Sequence, residues 1–285
     1  MRVTEAVERL IAATVGLPDV DLDRPYAWEE YDEDGLRFAL LTAHHELRDV
    51  TARAAAARLA AGRPFSEGPR ILAQFHEAYR DLTGALAGTS EGDLDAVPPD
   101  AQWPLREILG HLLQAESGFL AAIEVALEAA RAGRSAVPDE VAFTAKRRAP
   151  LDSAGSRADA LQALFRSHVA ILRALDGVTD GELDTPSYFW ERTGYPIRFR
   201  MHRFEEHLRQ HTIQVDKTLI AIGHPPSEAE RLSRNLHTAL AGLESVAAGS
   251  PAGAEDPEEL EDLERCAGSV DAITAAVRQV LSAPR

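Results

Sequence analysis

The chain has 285 residues, with 46 Asp and Glu against 30 Lys and Arg, for a formal net charge of -16 at pH 7. A surface of that average sign repels nucleic-acid backbones and anionic lipid, so neither nucleic acid nor a membrane is an expected partner. The single cysteine, Cys266, excludes an intramolecular disulfide framework and any cysteine-based zinc or iron-sulfur site, so a bound metal has to use histidine and carboxylate donors. The opening MRVTEAVERLIAATVGL carries Glu5 and Glu8 and no long apolar run. It reads as neither a secretory signal nor a membrane span, and a cytoplasmic protein is expected. Ten histidines stand out in a chain whose only lysines are Lys146 and Lys217.

Alanine, leucine, arginine and glutamate dominate and β-branched runs are scarce, which predicts an all-α fold. Apolar positions at Leu36, Leu40, Leu41, Leu47 and Val50 predict a long helix over residues 36–61, stopped by Gly62 and Pro64. Ser66 caps a second helix carrying Ile71, Leu72, Phe75, Tyr79, Leu82 and Leu86 and ending near Gly88. A polar, proline-containing loop follows, then a stripe from Trp103 to Ala132 through Ile108, Leu112, Ala115, Phe119, Ile123 and Leu127. Residues 133–156 read as a long loop, of the kind that is either disordered or covers a site. Helical periodicity resumes over residues 157–175, 197–222, 227–248 and 260–281, with Pro225-Pro226 as punctuation and residues 249–260 as a linker. Between the first two of these lies a segment with three adjacent aromatics, Tyr188, Phe189 and Trp190, in an aromatic-poor chain. The long helices suggest an antiparallel four-helix bundle with additional helices at both termini. The expected divisions are residues 1–65, 66–224 and 225–285.

The sharpest local pattern is MHRFEEHLRQHTIQVDKTL. His207 and His211 are four apart, so on a helix they lie about 40° from one another and can chelate one ion. Phe204, Leu208, Val215 and Leu219 share their stripe, which turns both imidazoles toward the core. His202 falls about 180° from His211 and reads as outward-facing. A protease-type H-E-x-x-H is ruled out, because residues 208–210 are Leu, Arg and Gln. His111, on the inward stripe with Ile108, Leu112, Ala115 and Phe119, is the best third ligand. Three neutral imidazoles around a divalent ion leave a fourth position for water or substrate, the arrangement of a catalytic site. His76 and His168 also lie on apolar stripes, as packing or pocket histidines. His44 and His45 point about 100° apart and cannot share an ion. His224 and His237, with no partner in the sequence pattern, read as surface or interface residues.

These pieces resemble the DinB/YfiT-like superfamily, four-helix bundles whose metal is held by three histidines. The resemblance rests on Trp103, Arg106, Glu107, Ile108, Leu109 and His111 in the second bundle helix, and on His207, His211, Gln214 and Val215 in the fourth. It spans residues 68–223. It implies a zinc, nickel or iron site at the open end of a bundle, with thiol-dependent transferase or isomerase chemistry on a small molecule. Cys266 has Glu261, Asp262 and Glu264 nearby in sequence, which disfavours a thiolate, so the thiol of such a reaction is expected to be an exogenous low-molecular-weight one. In this reading Tyr188, Phe189 and Trp190 line an acceptor pocket shaped by the loops at residues 134–156 and 182–196, or simply anchor a loop. Arg192 or Arg198 is a candidate to hold a carboxylate of the substrate or of the thiol cofactor. The alternatives are a metal-binding or regulatory bundle without turnover, whose terminal helices cover the open end or build a homodimer interface, and a histidine-rich bundle with no metal.

Overall fold

The computed structural model describes residues 1–28, 31–99, 102–147, 155–189, 193–248 and 257–284. Among them the fold is all-α: α1 (Arg2–Thr14), α2 (Leu36–Ala60), α3 (Glu67–Leu86), α4 (Glu91–Asp95), α5 (Leu105–Arg131), α6 (Glu140–Lys146), α7 (Arg157–Leu175), α8 (Ile197–Ala221), α9 (Glu228–Ala248) and α10 (Pro257–Ser282). The exceptions are a 3-10 turn at Asp19–Asp23 and a two-residue antiparallel ladder joining β1 (Pro186–Ser187) to β2 (Tyr195–Pro196). No helix among the described residues is long and apolar enough to cross a membrane.

The chain divides into two compact units. One comprises residues 1–64, 80–88 and 225–285, and the other residues 65–79 and 89–224. In the first, each long helix presents apolar residues one helical stripe apart: Val3, Val7 and Leu10 on α1, Leu36, Leu40 and Leu47 on α2, Leu236, Leu240 and Leu243 on α9, and Val270, Ile273 and Val277 on α10. All are buried, so the segments before and after the central part of the chain share one core. Gly35 starts α2 at φ +60°, where a Cβ would lie 2.6 Å from the Leu22 carbonyl oxygen, so only glycine suits this turn. The Arg80 guanidinium is clasped by Glu244 at 2.6 and 2.8 Å, and Arg234 by Asp81 at 2.7 and 3.1 Å, which ties the end of α3 to α9. Cys266 is buried in this core, and burial, assisted by the nearby Glu46 charge, pushes its thiol up to about 11.

The second unit is a bundle of four long helices: the first part of α3, then α5, α7 and α8. The longest, α5, runs roughly 40 Å at 1.5 Å per residue and packs against α7 and α8. Phe75 of α3 joins it by touching the His168 ring of α7 and the Phe204 ring of α8, at centroid distances of 4.6 and 5.1 Å. The polar stretch after α3 is not wholly a loop. Ser90 and Asp93 form a reciprocal capping box that starts the short α4, and Ser156 and Asp159 do the same for α7. Within the long loop after α5, the Asp139 side chain accepts from the Ala142 N–H and starts α6.

Of two histidines read as surface or interface residues from the sequence, His224 is part-exposed and His237 is buried. The His224 ring lies 3.0 Å from an Asp93 carboxylate oxygen, inside the second unit. His237 is buried in the first, and its Nδ1 has no hydrogen-bond partner among the described residues. Burial, aided by the Arg80 charge and opposed by Glu244 and Asp81, lowers its pKa to about 4. Between the ordinary value near 6.5 and that value the unfolded chain binds a proton that the folded chain does not, so stability falls as pH falls through this window and levels off below it. The expected cost between pH 7 and pH 4.5 is about 2–3 kcal/mol at 1.36 kcal/mol per unit. Urea unfolding at the two pH values should show a smaller acid penalty in His237→Gln than in the parent protein, and equal penalties would contradict the assignment.

Candidate metal centre

The α5–α8 contact brings three histidines to one point. His207 and His211 project from α8 one turn apart, and His111 reaches them from α5 across the helix interface. His111 Nε2 lies 3.1 Å from His207 Nε2, and His211 Nε2 lies 3.1 Å from the same atom. His207 and His211 are each 5% exposed, whereas His111 is half-buried. The Trp103 ring meets the His111 ring edge-on at 5.2 Å and is itself 40% exposed, so solvent reaches the triad from the Trp103 side. On the other side Phe119 presents its ring at 5.6 Å to His207 and at 5.7 Å to Phe204.

Burial governs the protonation of this cluster. Desolvation lowers the pKa of all three rings, with the His207 value down to about 3 because the neighbouring His211, His111 and Arg203 charges add to the effect. The imidazoles are therefore neutral at pH 7 and their ring nitrogens available as donors. His211 Nδ1–H donates to Gln214 Oε1 at 2.8 Å, so the lone pair of His211 sits on Nε2 and faces His207. A proton on His207 Nε2 could be shared with one neighbour but not with both. Three converging nitrogens in a buried place repel unless a proton or a cation lies among them, and here all three donor atoms fall within 4.8 Å of one another. Ligands bound to zinc at about 2.0–2.1 Å in a tetrahedral arrangement sit about 3.3 Å apart, close to the two 3.1 Å spacings around His207. The donor set and its spacing fit a divalent ion with nitrogen preference.

The other sequence-predicted residues lie elsewhere. His76 and His168 are brought to each other, not to the triad: His76 Nδ1 and His168 Nε2 are 2.8 Å apart, and the Tyr79 ring lies flat on His168 at 3.9 Å. Tyr188 lines a cavity of about 70 Å3 between the Ala122–Ala129 stretch of α5, the following loop and α6. Phe189 does border the triad's surroundings, because its ring contacts Phe119 at 5.6 Å. It reaches α5 at Gly118, where a Cβ would lie 2.5 Å from the Phe189 ring. Trp190 and Arg192 lie outside the described residues. Arg198 is engaged by Glu67 and Asp184, two ion pairs that occupy its guanidinium.

Sequence reasoning missed three groups. Glu116 is 2% exposed on α5, about 140° round the helix from His111, and faces α7, where the Ser167 hydroxyl is 3.4 Å away. Arg203 and Arg200 precede His207 by four and seven residues on α8, and this helical spacing was the signal available for them.

Residues 74–215 match the model of the DinB superfamily, a span that includes all three histidines. Neither a curated protein nor a solved structure matches the chain.

Burial raises the Glu116 carboxyl to about 8. Its protonated form is thus the main one below that pH, and infrared difference spectroscopy at pH 7 should show a protonated-carboxyl C=O band that disappears in Glu116→Gln. Its persistence in the variant would contradict the assignment.

Proposed function

Residues 74–215 belong to the DinB superfamily, and from this premise we propose that His111, His207 and His211 hold a divalent metal ion, zinc, nickel or iron, in an enzyme that carries out thiol-dependent transfer or isomerisation on a small molecule. The observation that carries the reading is the convergence of three neutral imidazoles, with the His111 and His211 Nε2 atoms each 3.1 Å from His207 Nε2 and all three donor atoms within 4.8 Å of one another. An ion held by three imidazoles with one open position acts as a Lewis acid and lowers the pKa of a thiol or water.

The residues of the chain have separable parts in this reading. Gln214 fixes the tautomer and ring orientation of His211, the kind of support whose loss weakens metal binding by about 10–100-fold. Phe119 and Phe204 keep water from the inner side of the triad, and Trp103 flanks the outer side. The thiol comes from outside, because Cys266 is buried in the other unit and its pKa is raised. A reduced, cytoplasmic setting suits such a thiol.

The second reading, a metal-binding or regulatory bundle without turnover, is favoured by the position of the Tyr188 cavity, which borders the Ala122–Ala129 part of α5 and not the triad. Elemental analysis of protein purified without chelator should give close to one metal per chain, falling to background in His207→Ala. Retention of the metal in that variant would overturn the triad. With cobalt as the bound ion, low-molecular-weight thiols should change the visible spectrum. A spectrum indifferent to every thiol tested would overturn the transferase reading in favour of the binding module.

A further inference from the structure

The stripe of α8 that carries His211 and His207 continues toward the start of the helix through Arg203 and Arg200, one and two turns from His207. The Arg203 guanidinium lies 5.8 Å from the centre of the Phe119 ring, and Phe119 in turn meets His207. Its charge is near enough to act on the His207 ring. Arg200 is 3% exposed, with its guanidinium 5.3–5.9 Å from the ring centres of Phe189, Tyr195 and Phe199 and its Nε donating to the Ser187 hydroxyl at 3.4 Å. Aromatic faces offset part of the cost of burying such a cation. Burial and the like charge of Arg203 nonetheless hold its pKa down to about 10, so the two guanidinium groups repel each other.

Several other arginines are held at longer range, although Arg209 and Arg265 pair within their own helices as Arg203 does. Arg37, Arg80, Arg106, Arg131, Arg198 and Arg234 are each bound through two nitrogens to carboxylates distant in sequence. Arg203 has its ion pair with Glu206, three residues on in the same helix, at 3.0 Å and with the Glu206 side chain 58% exposed. An exposed pair of this type is only weakly held in water, so an incoming anion readily replaces it. In a chain of net charge -16, a small anion is repelled by the average surface and needs a local positive site to stay beside the triad.

We propose that Arg203, backed by Arg200, is an anion subsite next to the histidine triad, and that the small molecule handled there carries a carboxylate. The planar guanidinium fork matches a carboxylate in geometry, and its place over the Phe119 ring holds it beside His207. Arg203 is thus a specificity-determining residue, holding the ligand at a fixed distance from His207.

The inference rests on the metal reading for its context but is tested apart from it. Binding of succinate, benzoate and the neutral succinamide is measured calorimetrically on zinc-loaded and on metal-stripped protein, with zinc content determined on the same samples. Succinate or benzoate should bind saturably and succinamide should not. Arg203→Ala should weaken the carboxylate at least tenfold in both preparations, Arg203→Lys less so, and both variants should keep the zinc content of the parent. Stoichiometric zinc with carboxylate affinity unchanged in Arg203→Ala overturns the anion subsite and leaves the triad standing. Arg203-dependent binding in a protein that takes up no zinc overturns the triad and leaves the subsite standing. Absence of saturable binding of both carboxylates by the parent protein overturns the subsite.

Discussion

Three converging ring nitrogens, two of them each 3.1 Å from the third, in a place where burial disfavours their protonation, set the terms for the rest of the bundle. Burial keeps His207 and His211 neutral, and neutral imidazoles facing one another need a proton or a cation among them. That geometry exists only while α5 and α8 keep their register. A slide of one residue along α5 turns His111 by about 100° and removes it from the cluster. The apolar packing on either side, with Ile108 and Leu112 on α5 and Phe204 and Leu208 on α8 all essentially unexposed, is what holds that register. Core packing and the candidate chemistry are in this sense one constraint.

The remaining polar groups of the second unit are arranged around this constraint in distinct ways. Glu116 and the His76–His168 pair lie on the α7 side and satisfy buried polarity by protonation or by pairing. Arg200 and Arg203 extend the α8 stripe and bring positive charge next to the triad, in a protein whose net charge is -16. Among the described residues the three donors of the cluster all belong to the second unit. The helices of the first unit bury their own stripes together with Cys266, whose thiol burial keeps protonated.

The sequence made some of this legible for physical reasons that can be named. His207 and His211 could be paired because i and i+4 on one helix fix direction as well as distance, and His111 because a long, unbroken apolar stripe fixes the inward face of α5. The pairing of His76 with His168 was not legible, since it depends on how α3 and α7 pack, which no local period encodes. His237 shares a stripe with Ser233, Leu236 and Leu240, all buried, so its burial had a signal that its polar character obscured. The capping boxes at Ser90 and Ser156 use Asp in place of the more familiar Glu at the third helical position, and the first of them starts a helix in a stretch that polarity and proline mark as loop. Phe189 reads as an aromatic in search of a partner, and the partner is the bare backbone of Gly118 on α5.

The most direct test of the account is X-ray absorption spectroscopy at the metal edge of the purified protein loaded with zinc. The triad predicts about three nitrogen scatterers at about 2.0–2.1 Å with the outer-shell features of imidazole rings, plus one exchangeable oxygen neighbour from water. A shell of oxygen donors without imidazole scattering would place the ion elsewhere and contradict the claim that His111, His207 and His211 hold it.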